Sequence, residues 1–262
     1  MTPDTGTTAT SASPTGAVQP VGAMLPAGAL PGPATAPAEH GLFLTFEGGD
    51  AAGKSTQLRM LVEHLTAVRG IDSARVLTTR EPGGTDLGRS IRELLLHGDH
   101  VDPRAEALLY AADRAHHVEQ TIRPHLASGG IVLSDRYLDS SVAYQGAGRA
   151  LDPAQIRALS VWATGGLLPH RTILLDLAPE ALATRREAGS LDRLERAGAA
   201  FHEAVRQEFL ALAAAEPERW AVVDASGTPD EVHAAVIAAL APQLDALAAS
   251  ARGAARAQES AR

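Results

Sequence analysis

The chain holds 262 residues, 45% of them hydrophobic, with a formal net charge of −8 and an isoelectric point near 5.7. That acidity argues against a surface built to coat nucleic acid. The lack of cysteine excludes disulfides, thiolate zinc sites and thiol catalysis, and no apolar run reaches the length of a bilayer span.

No basic segment leads into an apolar core, so a soluble cytoplasmic protein is the expectation. Residues 1–40 carry Asp4 and Glu39 as their only charges and mix Ala, Pro, Thr and Gly without periodicity. Pro26, Pro31, Pro33 and Pro37 would break a helix there. We read this stretch as a disordered Ala/Pro/Thr-rich extension, with one folded domain over 41–249 and a frayed Ala/Arg-rich tail over 250–262.

The first predicted element is a buried strand, Leu42–Glu47. It runs into Gly48-Gly49-Asp50-Ala51-Ala52-Gly53-Lys54-Ser55, which matches G-x-x-x-x-G-K-[ST] without a gap. A helix over Ser55–Val68 follows, with Leu58, Leu61, Val62 and Leu65 at helical spacing. Strand, glycine loop and helix is the arrangement in which backbone N–H groups and a helix N-terminus wrap a polyphosphate. In that geometry Lys54 reaches the β- and γ-phosphates and Ser55 ligates Mg²⁺. Lys54 is the only lysine among 23 Lys and Arg residues. Its retention in an arginine-biased chain suits a position that wants a compact ammonium rather than a planar fork.

A second strand, Arg75–Thr79, leads into Arg80-Glu81-Pro82-Gly83-Gly84-Thr85, a stiff loop displaying Arg80 and Glu81 at its start. Arg92 lies on the helix after it, Asp86–Leu96. The long helix Pro103–Ala127 puts Tyr110 and Arg114 on one face. They suit a nucleobase by stacking and by a guanidinium donor, or they are ordinary helix packing. His116 and His117 follow, where a metal site has little support. The third strand, Ile131–Asp135, ends in an acid that either holds Mg²⁺ opposite Ser55 or caps the chain. Arg136 beside it offers a bidentate phosphate clamp. The remaining elements are helices Asp152–Thr164, Pro179–Arg186, Ala199–Ala215 and Pro229–Leu247, with strands Thr172–Leu177 and Trp220–Asp224. Short, unalternating apolar strands separated by helices give a doubly wound parallel α/β sheet of about five strands with helices on both faces. Ligands bind such sheets beyond the carboxyl ends of the strands, where Glu47, Arg80 and Asp135 fall.

The phosphate loop, Thr79–Thr85, Leu109–Arg114 and Ser134–Gly146 resemble thymidylate kinases in order and spacing, over roughly Leu42 to Leu240. The block Ser-Asp-Arg-Tyr-Leu-Asp-Ser-Ser-Val-Ala-Tyr-Gln-Gly is the most specific part. The resemblance implies a P-loop NTPase-type fold and transfer of the γ-phosphoryl group of ATP to dTMP, giving dTDP on the way to dTTP. It implies that Gly48 to Thr56 hold ATP and that Lys54 neutralises developing charge. Asp50 would address the sugar 3′-hydroxyl, while Arg136 and Arg92 would hold the acceptor phosphate with Glu81 close by. Tyr110 stands where the family has a stacking Phe, Arg114 meets a thymine carbonyl, Ser141 and Gln145 read the other base edge, and Tyr144 crowds the sugar 2′ position. Ala51 leaves the loop without an arginine, so the transition-state cation would come from a lid at 185–197, with Arg185 and Arg186 as candidates. A homodimer is also implied. Three other readings stay open: a kinase for another nucleoside monophosphate, an NTP-driven switch, and a weakly active nucleotide-binding paralogue.

Overall fold

The computed structural model describes residues 41–149, 151–185, 194 and 197–249. The extension 1–40, most of the lid including Arg186, and the tail 250–262 lie outside the described residues.

In chain order the elements begin with β1 Leu42–Glu47, α1 Lys54–Glu63 with a π turn over His64–Val68, and β2 Val76–Arg80. Then come α2 Asp86–Leu96, α3 Pro103–His117, α4 Arg123–Ala127, β3 Ile131–Asp135 and α5 Leu138–Ser141. The chain ends with α6 Pro153–Ala163, β4 Arg171–Asp176, α7 Pro179–Arg185, α8 Ala199–Ala215, β5 Trp220–Asp224, α9 Pro229–Ala239 and α10 Ala241–Ala249. Side chains cap several helices: Thr85, Asp102 and Asp152 accept from backbone N–H groups of the first turn, and Thr228 forms a capping box with Glu231.

All five strands are parallel, in the order β2-β3-β1-β4-β5. The period of two along each strand divides the core. Leu44 and Phe46, Leu133, Ile173 and Leu175 face α1, α9 and α10 through Leu58, Leu61, Val236 and Leu244. Phe43, Val132 and Leu174 face the opposite layer, where α3 to α6 and α8 pack through Val118, Leu138 and Phe209. Burial on both faces is why the three central strands, β3, β1 and β4, show no apolar alternation. No single helix among the described residues is long and apolar enough to cross a membrane. The bent pair α9–α10 is apolar because Val232, Val236, Leu240 and Leu244 belong to the core.

The predicted architecture holds, with local corrections. β2 starts and ends one residue later than expected, because Asp72 caps a 3₁₀ turn that absorbs Arg75. The fourth strand begins one residue earlier and stops at Asp176. The long helix is divided by a π turn over Val118–Ile122. Pro124 has no N–H to give the helical ladder, and the restart as α4 places it in a first turn. The largest omission is helical structure over 138–148: α5 continues as a π turn through Val142–Gly148. Val142, Tyr144 and two glycines are poor helix formers; packing of Val142, Ala143 and Tyr144 into the interior overrides propensity.

Candidate active site

The phosphate loop is shaped by left-handed backbone. Gly48 has φ +129°, and a Cβ there would lie 2.5 Å from the Leu175 carbonyl oxygen. Gly53, at φ 98°, is the N-cap of α1, so the free N–H groups of the first turn open on the loop. Lys54 is buried, and its Nζ donates to the carbonyls of Gly48 and Gly49 at 3.1 and 2.9 Å. Burial, with Arg136 nearby, lowers its pKa from the ordinary value. Ser55 Oγ donates to Asp135 Oδ2 at 3.2 Å, while Asp135 Oδ1 is buried without a partner. A hydroxyl beside a carboxylate with an orphaned oxygen fits a hard cation whose remaining ligands are phosphates and waters. No cluster of three or more His, Cys, Asp or Glu suited to a metal exists among the described residues.

A cleft of about 720 Å³ runs from this loop to Gln57, Arg185, Ala225, Pro229 and Val232. A narrower cavity on the other side is lined by Tyr110, Arg114, Ser141, Tyr144 and Gln145. Asp50, Glu81, Arg92 and Arg136 line both. The sequence candidates therefore converge, with four charged residues at the junction.

Arg136 is the centre of that junction. It adopts φ 68°, unusual for a residue with a Cβ, and neighbouring bonds hold it there. Its N–H donates to Phe46 O at 2.9 Å, and the next N–H, of Tyr137, donates to Glu47 Oε1 at 2.8 Å. The guanidinium then reaches Ser140 Oγ at 3.0 Å, Asp50 Oδ1 at 2.7 Å and Tyr144 Oη at 3.2 Å. It also lies 5.0 Å from the centre of the Tyr144 ring. Burial pushes the Tyr144 hydroxyl well above its usual range, so it stays a proton-bearing donor. Arg92 donates to Pro82 O at 3.1 Å, which sets its head beside the junction.

The cavity wall corrects one expectation. Glu81 is buried, not displayed at the start of its loop. Its Oε2 accepts from Arg114 Nε at 2.8 Å and its Oε1 meets His117 Nδ1 at 2.9 Å. His117 Nε2 lies 2.6 Å from Thr79 Oγ1, so this histidine is a strut and not a metal ligand. Arg114 also donates to Ser160 Oγ, Tyr137 O and Ser141 Oγ, at 3.1–3.2 Å. Asp113 accepts from Gly83 N, and burial together with Glu81 pushes its carboxyl up to about 6. A Cβ on Gly88 would stand 2.2 Å from Asp113 Oδ1, which explains a glycine in the first turn of α2.

Sequence reasoning placed Glu47 at the strand ends but gave it no role, and it did not single out Glu106, Asp139 or Arg219. Glu47 is buried at the end of β1, accepting from Tyr137 N and, at 2.5 Å, from Ser140 Oγ; burial raises its carboxyl to about 7. Glu106 accepts from Gln145 Nε2 at 2.9 Å. Asp139 on α5 takes a bidentate pair from Arg219 at 2.6 and 2.9 Å. A charge ending an apolar strand was the visible signal for Glu47. Glu106 was findable from its spacing, one helical turn before Tyr110. Nothing local pointed to Arg219. Of the lid candidates, Arg185 lines the large cleft and donates to Ser226 O at 3.3 Å; Arg186 lies outside the described residues.

With this geometry in place, the comparisons with known proteins agree. The model of the thymidylate kinase family matches residues 46–236. The chain is 60% identical to a thymidylate kinase of Clavibacter sepedonicus over 214 residues, covering 80% of this chain and 99% of that protein. It is 55% identical to a thymidylate kinase of Bifidobacterium longum (strain DJO10A), covering 75% and 95%. Among solved structures, the thymidylate kinase from Ehrlichia chaffeensis superposes with a TM-score of 0.64 at 32% identity, covering 77% of this chain and 98% of that one.

Proposed function

The chain belongs to the thymidylate kinase family, and we propose that it phosphorylates dTMP to dTDP with ATP as donor and Mg²⁺ as cofactor, at the site just described. The observation that carries this assignment of residues is the sharing of Asp50, Glu81, Arg92 and Arg136 between the donor cleft and the base cavity. Phosphoryl transfer needs alignment and neutralisation of charge more than covalent help from the protein. That junction is where a γ-phosphate and an acceptor phosphate would meet.

In this reading Gly48 to Thr56 hold the donor phosphates through backbone N–H groups, and Lys54 exchanges a loop carbonyl for a phosphate oxygen. Arg136 and Arg92 grip the acceptor phosphate. Asp50, held by Arg136, addresses the 3′-hydroxyl, and Tyr144 stands where a 2′-hydroxyl would be. Tyr110 stacks on the base, Arg114 donates to a base carbonyl, and Ser141 and Gln145 meet the remaining edge. Ser55 and Asp135 would hold Mg²⁺, which would offset negative charge on the donor phosphates. Arg185, with Arg186 beyond it, would bring the further cation that Ala51 does not supply. A coupled assay with ATP and Mg²⁺ against dTMP, dCMP and GMP tests the reading; turnover of dCMP or GMP without dTMP would overturn it.

We further propose a cytoplasmic homodimer without nucleic-acid partners. Leu87 (48% exposed) and Leu94 (57%) on α2, Leu108 (59%) on α3 and Trp162 (62%) on α6 are exposed apolar side chains on helices that pack side by side. A second copy would cover them. Sedimentation equilibrium giving a monomer would refute the dimer.

A further inference from the structure

We propose that Glu106 is a specificity-determining positioning residue: by fixing the amide of Gln145, it makes the base cavity select a pyrimidine that carries hydrogen on N3. The inference rests on the kinase reading above and deepens it.

Gln145 is buried and lines the cavity, while Glu106, fully buried on α3, stands behind it. An ionised carboxylate accepts hydrogen bonds and cannot donate. Arg149 Nε donates to the same Glu106 Oε1 at 3.4 Å, so that oxygen already serves as an acceptor. The group that Gln145 turns toward Glu106, 2.9 Å away, must therefore be its NH₂. This settles an amide orientation that shape alone leaves ambiguous. The carbonyl Oε1 is then turned from the Glu106 carboxylate, and no described residue donates to it. In the cavity Gln145 is thus an acceptor.

Its neighbour there is a donor. Arg114 spends four of its five N–H groups on Glu81, Ser160, Tyr137 O and Ser141. The one remaining belongs to Nη1. A donor beside an acceptor matches a ring that presents a carbonyl next to N3–H, as thymine and uracil do. Cytosine presents an amino group next to an unprotonated N3, so both positions would oppose like with like. A buried polar pair left unmet costs about 1–3 kcal/mol, roughly 5- to 150-fold. If a side chain that can also donate replaced Glu106, the Gln145 amide could turn over and the code would blur.

The experiment uses the full chain and compares kcat/KM for dTMP, dUMP and dCMP. Wild type should favour dTMP over dCMP strongly. Glu106→Gln keeps the shape but lets either end of the Gln145 amide face the cavity. It should raise the dCMP-to-dTMP ratio by about 10- to 100-fold, with KM for ATP unchanged within twofold. In a Gln145→Met background the same substitution should leave that ratio unaltered, because the amide it acts through is gone. An unchanged ratio in Glu106→Gln, or full additivity with Gln145→Met, overturns the proposal. Should Glu106→Gln fail to fold, a crystal of the wild type with dTMP decides. Gln145 Oε1 within hydrogen-bond distance of N3, with Nε2 still on Glu106, supports the proposal; any other contact partner for N3 overturns it. A wild type inert toward dTMP refutes the kinase reading instead, so the two failures are distinguishable.

Discussion

Glu47→Gln gives a quantitative test of how the strand ends beside Arg136 are built. Glu47 is fully buried, and burial raises its carboxyl from 4.5 to about 7, against the opposing pull of Arg136. The unfolded chain releases this proton first, so the sign follows. The cost of burial is absent below pH 4.5, grows as pH rises, and is complete above about 7. At 1.36 kcal/mol per pH unit, a gap between 4.5 and about 7 removes roughly 3 kcal/mol of stability over that window. Glutamine carries no proton to lose, though it turns an N–H toward Ser140 and forfeits an acceptor there. Relative to wild type, Glu47→Gln should therefore be less stable at pH 4.5 and gain about 3 kcal/mol by pH 8. Urea unfolding followed by tryptophan fluorescence at several pH values measures this difference, in which carboxylates common to both proteins cancel. Parallel stability curves for the two proteins would refute the reasoning, because they would mean that Glu47 titrates alike folded and unfolded.

Three further outcomes are expected. Lys54→Met should lower kcat at least 100-fold, since a buried ammonium among loop carbonyls is a preorganised electrostatic group; dTMP affinity by equilibrium binding should stay within a few-fold. Chelation with EDTA should abolish turnover and added Mg²⁺ restore it, and Asp135→Asn should raise the Mg²⁺ needed for half-maximal rate at least tenfold, because it replaces the carboxylate whose Oδ1 lacks a partner. Arg219→Met should cost about 3–5 kcal/mol in urea unfolding, because it leaves the Asp139 carboxylate buried and unpaired.

What the sequence disclosed follows from the range of the interactions. The phosphate loop is local: three glycines, a lysine and a serine within eight residues carry their own geometry. The central strands were readable from composition, since burial on both faces admits few polar residues. The segment 138–148 was not, because its propensities oppose a helix and only the contacts of Val142, Ala143 and Tyr144 with distant elements decide it. Arg219 was illegible for the same reason, its partner Asp139 lying 80 residues earlier in the chain. Glu81 misled in the other direction. A charged residue after a strand and before Pro-Gly-Gly looks exposed, and only Arg114 and His117, more than 30 residues on, make its burial tolerable.

The alternation of side chains along a strand gives the strand ends two sides, one for each ligand of the proposed reaction. Phe46 pairs in register with Asp135, so both face the α1 layer, and Asp135 meets Ser55 at the phosphate loop. Glu47, one residue further, must face the opposite layer, and there it anchors Tyr137 and Ser140 at the start of α5. In the proposed reading, metal and donor phosphates would lie on one side, base and sugar on the other. A side chain serving both must cross the strand ends. Arg136 does so because its left-handed backbone turns the chain from β3 toward α5 while its guanidinium returns to Asp50. An arginine in ordinary β conformation would continue the alternation and commit to a single side. The strained φ at Arg136 is therefore the local feature that joins two half-sites into one, and its cost is borne by the bonds through Phe46 O and Glu47 that hold it.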